Sequence, residues 1–196
     1  MGQQGAPVCD VVFDGCRVPA SAIVGGVEGR GFGTAMRTLD RGRLSIAASF
    51  TGFAGRILDD MVEYAVQRHQ FGRPIAEFQL IQGMIADSQA DLMAARAMVA
   101  DGAAAADRGE DISLRAACCK LFTSEKLGRI ADRNVQVHGG AGYVADYPAE
   151  RHYRDARLSR IYEGTTQIQQ IIIARSVIRS ARRRLGIESR GRGGSV

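Results

Sequence analysis

Four segments of the chain carry residue types that can do chemistry. In Ile161-Tyr162-Glu163-Gly164-Thr165-Thr166 a lone carboxylate precedes a predicted helix start. Gly164 lets the backbone approach a ligand closely, and the first helical turn presents unpaired N–H groups and a positive dipole end. A carboxylate there suits a general base with donors nearby for a developing oxyanion, although a surface residue or extended N-cap has the same local pattern. In Gln136-Val137-His138-Gly139-Gly140-Ala141-Gly142-Tyr143 the glycines permit positive φ and close contact with a phosphate or sugar. Glycine also simply stops helices, and no strand precedes this turn, so it is not a dinucleotide fingerprint.

The third segment, Arg68-His69-Gln70-Phe71-Gly72 with Phe78-Gln79, gathers a cation, aromatic rings and amides at a helix end. Such a set suits pyrophosphate and ring stacking; equally, Arg68 caps a helix and Phe71 staples the bundle. The fourth, Asp40-Arg41-Gly42-Arg43, lies inside a predicted helix, where charges usually form a solvated face. Gly42 costs about 0.5–1 kcal/mol relative to Ala in a helix, which suggests that it makes room for something.

The elements that position these segments follow from punctuation and periodicity. Residues 8–13 read as a strand running into the Asp14-Gly15 turn, and no other β structure is evident. From 31 to 67, Phe50, Phe53, Ile57, Leu58, Met61 and Ala65 mark one face of a long amphipathic helix ending at Gly72-Arg73-Pro74. Phe78, Ile81, Ile85, Ser88, Leu92, Ala95 and Val99 form the seam of a second helix that stops near Asp107-Arg108-Gly109. A third, over 112–137, carries Leu114, Ala117, Leu121 and Ala131 on one side, with Cys118 and Cys119 as small core residues. After Pro148, Thr166 and Gln169 have capping-box spacing and open a fourth helix striped with Ile168, Ile171, Ile172 and Ile178. The expected fold is all-α, an antiparallel four-helix bundle with a short N-terminal β remnant. Residues 1–27 read as remnant and linker, 28–184 as the bundle, and 185–196 as a disordered basic, Gly-rich tail. Helices this much longer than the usual ~12 residues should also pack on another chain or domain.

With 196 residues, 45% hydrophobic and 24% charged, the chain is sized for one globular domain or for one domain plus a fragment of another. It has no apolar run long enough for a membrane span and no secretory start, which reads as cytoplasmic. The net charge of +5 does not imply nucleic acid, because residues 175–196 alone hold seven arginines against one Glu. Of 26 basic residues only Lys120 and Lys126 are lysine, which reads as codon bias. Cys9, Cys16, Cys118 and Cys119 lack paired zinc spacing, the three histidines lie far apart, and no metal site is expected.

In order and spacing the four segments resemble the C-terminal part of the acyl-CoA dehydrogenases. The most specific stretch runs from Gln136 through Gly139, Gly140, Gly142, Tyr143 and Asp146 to Arg151 and Asp155. Val12-Phe13-Asp14 with Val18-Pro19 is similar to the last strand of that family's middle β domain. The resemblance implies that Glu163 is the base removing the pro-R α-proton of an acyl-CoA thioester while the β-hydride goes to flavin N5. It implies that Tyr162, Gly164, Asp40 and Arg43 lie on the substrate side. Thr165 and Gln167 would contact FAD at the helix start. Arg68, Phe71, Gln79, Gln136, Gly139 and Gly140 would hold the ADP half of the FAD of a neighbouring subunit. A homotetramer built as a dimer of dimers follows, with electron-transferring flavoprotein as electron acceptor in fatty acid metabolism. Gly42 stands where some members carry their base, which favours Glu163 and a short or branched acyl chain.

A full member is much longer, with an N-terminal helical domain and a complete middle β domain. The chain therefore reads as a fragment, as one part of a split enzyme completed by another polypeptide, or as a bundle used only for assembly. An acyl-CoA oxidase, which passes electrons to oxygen, and a non-catalytic helical interaction module are the alternatives in function.

Overall fold

The computed structural model describes residues 1–187. The part of the expected disordered tail from 188 onward lies outside them. Three long helices carry the fold: α1 (Gly31–Gln67), α2 (Gln79–Asp107) and α3 (Ser113–His138). A short α4 (Ala149–Arg157) and a longer α5 (Thr166–Arg184) follow. Connections as short as residues 108–112 turn consecutive helices back on one another, the up-and-down arrangement of a bundle. The central helix is α3, which packs on α1, α2, α4 and α5.

Periodicity set the core as expected along α1 and α2. Phe50, Ile57, Leu58, Met61 and Ala65 of α1 are buried with Leu92 of α2 and Leu127, Ile130 and Ala131 of α3. Phe53, Phe78, Ile81 and Ile85 pack against that cluster. A second cluster, Leu44, Ala47, Ala105, Ile112, Ala116 and Cys119, closes the other end. Along α3 the buried stripe is Ala116, Ala117, Lys120, Thr123, Ser124, Leu127, Ile130, Ala131 and Asn134, steps of three and four that include a lysine. Leu114, expected on the core side, is 37% exposed because the stripe passes it.

Several expectations fail. Residues 8–13 form no strand: no backbone among the described residues pairs with them, and Val8, Val11, Val12 and Phe13 are all at least 75% exposed. A run of β-favouring residues shows only that a segment can enter a sheet, and extended backbone without a partner ladder stays coil. The β structure that does exist was not expected. β1 (His69–Gln70) and β2 (Arg73–Pro74) pair antiparallel, His69 opposite Pro74 and Gln70 opposite Arg73. Phe71 and Gly72 turn this hairpin with φ of +52° and +80°. Helix α4 was also not foreseen. The fourth long helix is capped one residue earlier than the Thr166–Gln169 spacing suggested, since the Thr165 hydroxyl accepts from the Ile168 N–H at 3.3 Å. Finally, the isoleucine stripe of α5 has no cover within the described residues: Ile168, Ile171 and Ile178 are 43–52% exposed.

Candidate active site

The loop between α4 and α5 makes a sharp corner at Glu163 and Gly164, with φ of +56° and +88°. A left-handed conformation at a non-glycine residue costs of order 1 kcal/mol and persists only where the surroundings over-determine it. They do so here through two consecutive carbonyls. The Glu163 carbonyl accepts from Arg43 Nε at 3.3 Å and from Gln169 Nε2 at 3.0 Å. The Gly164 carbonyl accepts from Lys120 Nζ at 2.7 Å and again from Gln169 Nε2 at 3.1 Å. Donors from α1, α3 and α5 thus converge on one turn, and Tyr162 anchors it by stacking on Phe50, centroids 5.9 Å apart.

This geometry turns the Glu163 carboxylate toward α1 at Gly42. A Cβ added at Gly42 would lie 3.0 Å from Glu163 Oε2 and 3.5 Å from its Cδ. The missing side chain therefore makes the space that the carboxylate fills. Glu163 Oε2 is buried and has no hydrogen-bond partner among the described residues. An ionised carboxylate oxygen left unpaired is costly in a structure built for stability alone, and it is available to take a proton from a bound molecule. Glu163 is neither a surface residue nor a cap, since Thr165 caps α5. Arg43 is buried rather than part of a solvated face, and its guanidinium pairs with half-buried Asp40 at 2.8 Å. Asp40, Arg43, Tyr162, Glu163 and Gly164 form one constellation.

A second assembly lies at the α1–α2 junction and the end of α3. A groove of about 970 Å³ is lined by Arg68, Phe71, Gln79, Gly139 and Gly140, with Tyr64, His138 and Phe78. Phe71 does not staple the bundle: it is 91% exposed and touches Phe78 edge-on at 6.1 Å. A bulky residue held left-handed and presented to solvent is a strained, displayed ring. Gly139 needs its positive φ of +58°, whereas Gly140 has open space where a Cβ would stand, so backbone is offered to the groove. Gly142 serves packing instead, because a Cβ there would lie 2.7 Å from the Val135 carbonyl oxygen. The groove floor is a stack of Tyr64 on His138, centroids 4.0 Å apart, with Tyr147 edge-on to both. Burial pushes the His138 imidazole below its ordinary pKa. Gln136, exposed on the last turn of α3, does not line this groove.

Thr165 and Gln167 lie elsewhere, in a depression of about 260 Å³ shared with Glu125, Arg157 and Arg160. Thr165 accepts through its hydroxyl oxygen and so keeps its proton to donate. The two hollows share no lining residue. The residues of the groove fit a nucleotide diphosphate: an arginine for phosphate, displayed rings for a base and bare backbone for close approach.

Sequence reasoning missed Lys120 and Gln169, both fully buried beneath the corner. Lys120 occupies the core stripe of α3 at three- and four-residue spacing from Ala116, Ala117 and Ser124, a signal present in the sequence.

A family model for the acyl-CoA dehydrogenase C-terminal domain matches residues 29–178. The chain belongs to the acyl-CoA dehydrogenase family. Among curated proteins it is 43% identical over 179 residues to acryloyl-CoA reductase (NADH) of Anaerotignum propionicum, covering 91% of this chain and 45% of the reductase. Among solved structures it matches butyryl-CoA dehydrogenase of Megasphaera elsdenii with a TM-score of 0.76 and 40% identity, over 78% of this chain and 40% of that one. A chain in a structure of the electron transferring flavoprotein of Acidaminococcus fermentans matches with a TM-score of 0.77 and 43% identity, over 79% of this chain and 40% of that one. The chain thus spans less than half the length of the relatives it matches. Among the described residues no helix is long and apolar enough to cross a membrane.

Proposed function

We propose that the chain carries the catalytic base and half of the flavin site of an FAD-dependent acyl-CoA dehydrogenase. The observation that carries this reading is the buried, unpartnered Glu163 oxygen held against Gly42 by a strained corner. When bound, FAD supplies the acceptor for the β-hydride of the thioester. Glu163 takes the α-proton, a weak acid whose removal needs a positioned carboxylate within hydrogen-bond reach. The substrate side is formed by Asp40, Arg43, Tyr162 and Gly164, of which Gly164 lets the corner close on Gln169, since a Cβ there would lie 2.7 Å from Gln169 Nε2. Thr165 and Gln167 hold the flavin near the corner, and Arg68, Phe71, Gln79, Gly139 and Gly140 hold the ADP half; Gln136 stands outside the groove lining.

Two separate hollows for one cofactor support a homo-oligomer in which one flavin bridges two copies, and the uncovered isoleucine face of α5 supports the same arrangement. A dimer of dimers and a role in fatty acid metabolism belong to this reading, as does electron-transferring flavoprotein as the acceptor. A short acyl chain is supported by the butyryl-CoA dehydrogenase match. The acryloyl-CoA reductase match favours a second reading, with the same site working in reverse and Glu163 delivering a proton to the α-carbon. The test is the visible absorbance spectrum of the purified protein with FAD, recorded anaerobically before and after butyryl-CoA. A protein-bound flavin band that bleaches on addition of the thioester is expected; a bound flavin that butyryl-CoA leaves oxidised contradicts the dehydrogenase direction.

A further inference from the structure

Lys120 is one of two lysines among 26 basic residues, and among the described residues it is the largest side chain fully shut off from solvent, at 0% exposure. An arginine in its place would bring a charge that it cannot shed, whereas a lysine can titrate when buried. Its amine spends a hydrogen bond on the Gly164 carbonyl, 2.7 Å away, at the corner that carries Glu163.

We propose that Lys120 is a positioning residue for the Glu163 carboxylate: by holding the Gly164 carbonyl from inside the bundle, it fixes the left-handed corner that keeps the carboxylate over Gly42. The proposal rests on Glu163 being the base. Of the three donors that grip the corner, Arg43 reaches from α1 and Gln169 from α5, while Lys120 alone ties it to the central helix. Because the peptide is planar and trans, fixing the Gly164 carbonyl inward also fixes the Thr165 N–H in the opposite direction, at the start of α5. The corner cannot swing out without breaking that bond and exposing a buried amine.

The electrostatics agree with this placement. Burial pushes the Lys120 amine down to about 8, and the Arg43 guanidinium on α1 pushes the same way; Glu163 on the corner and Glu125 on α3 oppose it. Asp40 pairs with Arg43, and Gln169 is the neutral partner from α5. Lys120 therefore senses the charge of Glu163.

The unaltered full chain supplies the first test, because its two lysines give two side-chain amine resonances when lysine is isotopically labelled. One resonance, retained in Lys126→Arg, should titrate near pH 8, well below the ordinary 10.5. In Glu163→Gln it should move lower still, since the opposing carboxylate charge is gone. Two lysines that both titrate near the ordinary value, or a low one indifferent to Glu163→Gln, would overturn the proposal. The second test is exchange of the acyl α-proton with solvent deuterium in the FAD-loaded enzyme. A misplacement of about 1 Å costs on the order of 10²-fold. Lys120→Met should therefore lower the exchange rate ~10- to 100-fold with the half-saturating thioester concentration within about twofold; an unchanged rate refutes the positioning role. Exchange that survives Glu163→Gln would instead refute Glu163 as the base, a failure that the amine titration distinguishes from that of Lys120.

Discussion

Replacing Gly42 with Ala sets two effects of opposite consequence against each other. In the middle of α1, glycine is about 0.5–1 kcal/mol less favourable than alanine, so the substitution stiffens the helix. The new methyl arrives 3.0 Å from Glu163 Oε2, 3.5 Å from Cδ and 3.6 Å from Oε1. The carboxylate is the far end of a flexible side chain, so it yields by a few tenths of an ångström at small cost, and the net stability should rise by about 0.5 kcal/mol. For a protein of this size that is a melting temperature higher by ~1–2 °C. The same displacement moves the base off its α-proton. At on the order of 10²-fold per 1 Å, a shift of a few tenths of an ångström lowers proton abstraction ~3- to 10-fold. Gly52→Ala is the control: it lies in the same helix and nothing stands within 4 Å of its Cβ position. It should give the same or a slightly larger stabilisation with an unchanged rate. Melting curves and anaerobic flavin bleaching by butyryl-CoA measure both quantities on the same preparations. A Gly42→Ala protein that loses stability by more than ~1 kcal/mol, or that abstracts the proton at the rate of the Gly52→Ala control, would refute this account of the space above Glu163.

Gly142→Ala should destabilise the bundle by about 1–3 kcal/mol, read by thermal or urea unfolding, because its Cβ would lie 2.7 Å from the Val135 carbonyl and 2.8 Å from the His138 Cβ. Phe71→Gly removes a ring that is 91% exposed and left-handed, so folding should be unaffected or slightly favoured. ADP binding by calorimetry should weaken ~3- to 10-fold for loss of one stacking partner. Acid should destabilise the fold below pH 6.5. Burial lowers the pKa of both His152 and His138 from 6.5, so the unfolded chain takes up protons first and stability is lost as pH falls through the folded-state values. His152 sits 3.6 Å from buried Asp60 and edge-on to Phe53; melting temperatures that stay flat between pH 7 and pH 5 would contradict the assignment of these two histidines as neutral.

Most of the fold was legible because three- and four-residue spacing of apolar residues directly encodes which side of a helix is buried. Phe50 to Ala65 and Ser88 to Ala95 follow that rule. The same rule misleads on α5, where Ile168, Ile171 and Ile178 show spacing but nothing among the described residues covers them. The strand reading of residues 8–13 fails, since a strand depends on a partner that local residue preference does not specify. The hairpin at 69–74 was invisible because each strand is two residues long and its turn places a phenylalanine where glycine or asparagine is usual. Within the site, Glu163 and Gly42 stood out singly as a carboxylate and a helix-breaking residue. Their contact across 120 residues of chain was not a local property. Lys120 was passed over as compositional bias, although the stripe from Ala116 to Asn134 runs through it.

The most direct test of the central claim is the rate of anaerobic flavin bleaching by butyryl-CoA in Glu163→Gln, with flavin content measured on the same sample. Glutamine keeps the shape of the corner and removes the base. General-base catalysis is worth ~10²–10⁴-fold, so the rate should fall by at least ~10²-fold while bound FAD per chain stays the same. Bleaching within tenfold of the unaltered protein, at equal flavin content, would show that Glu163 is not the base.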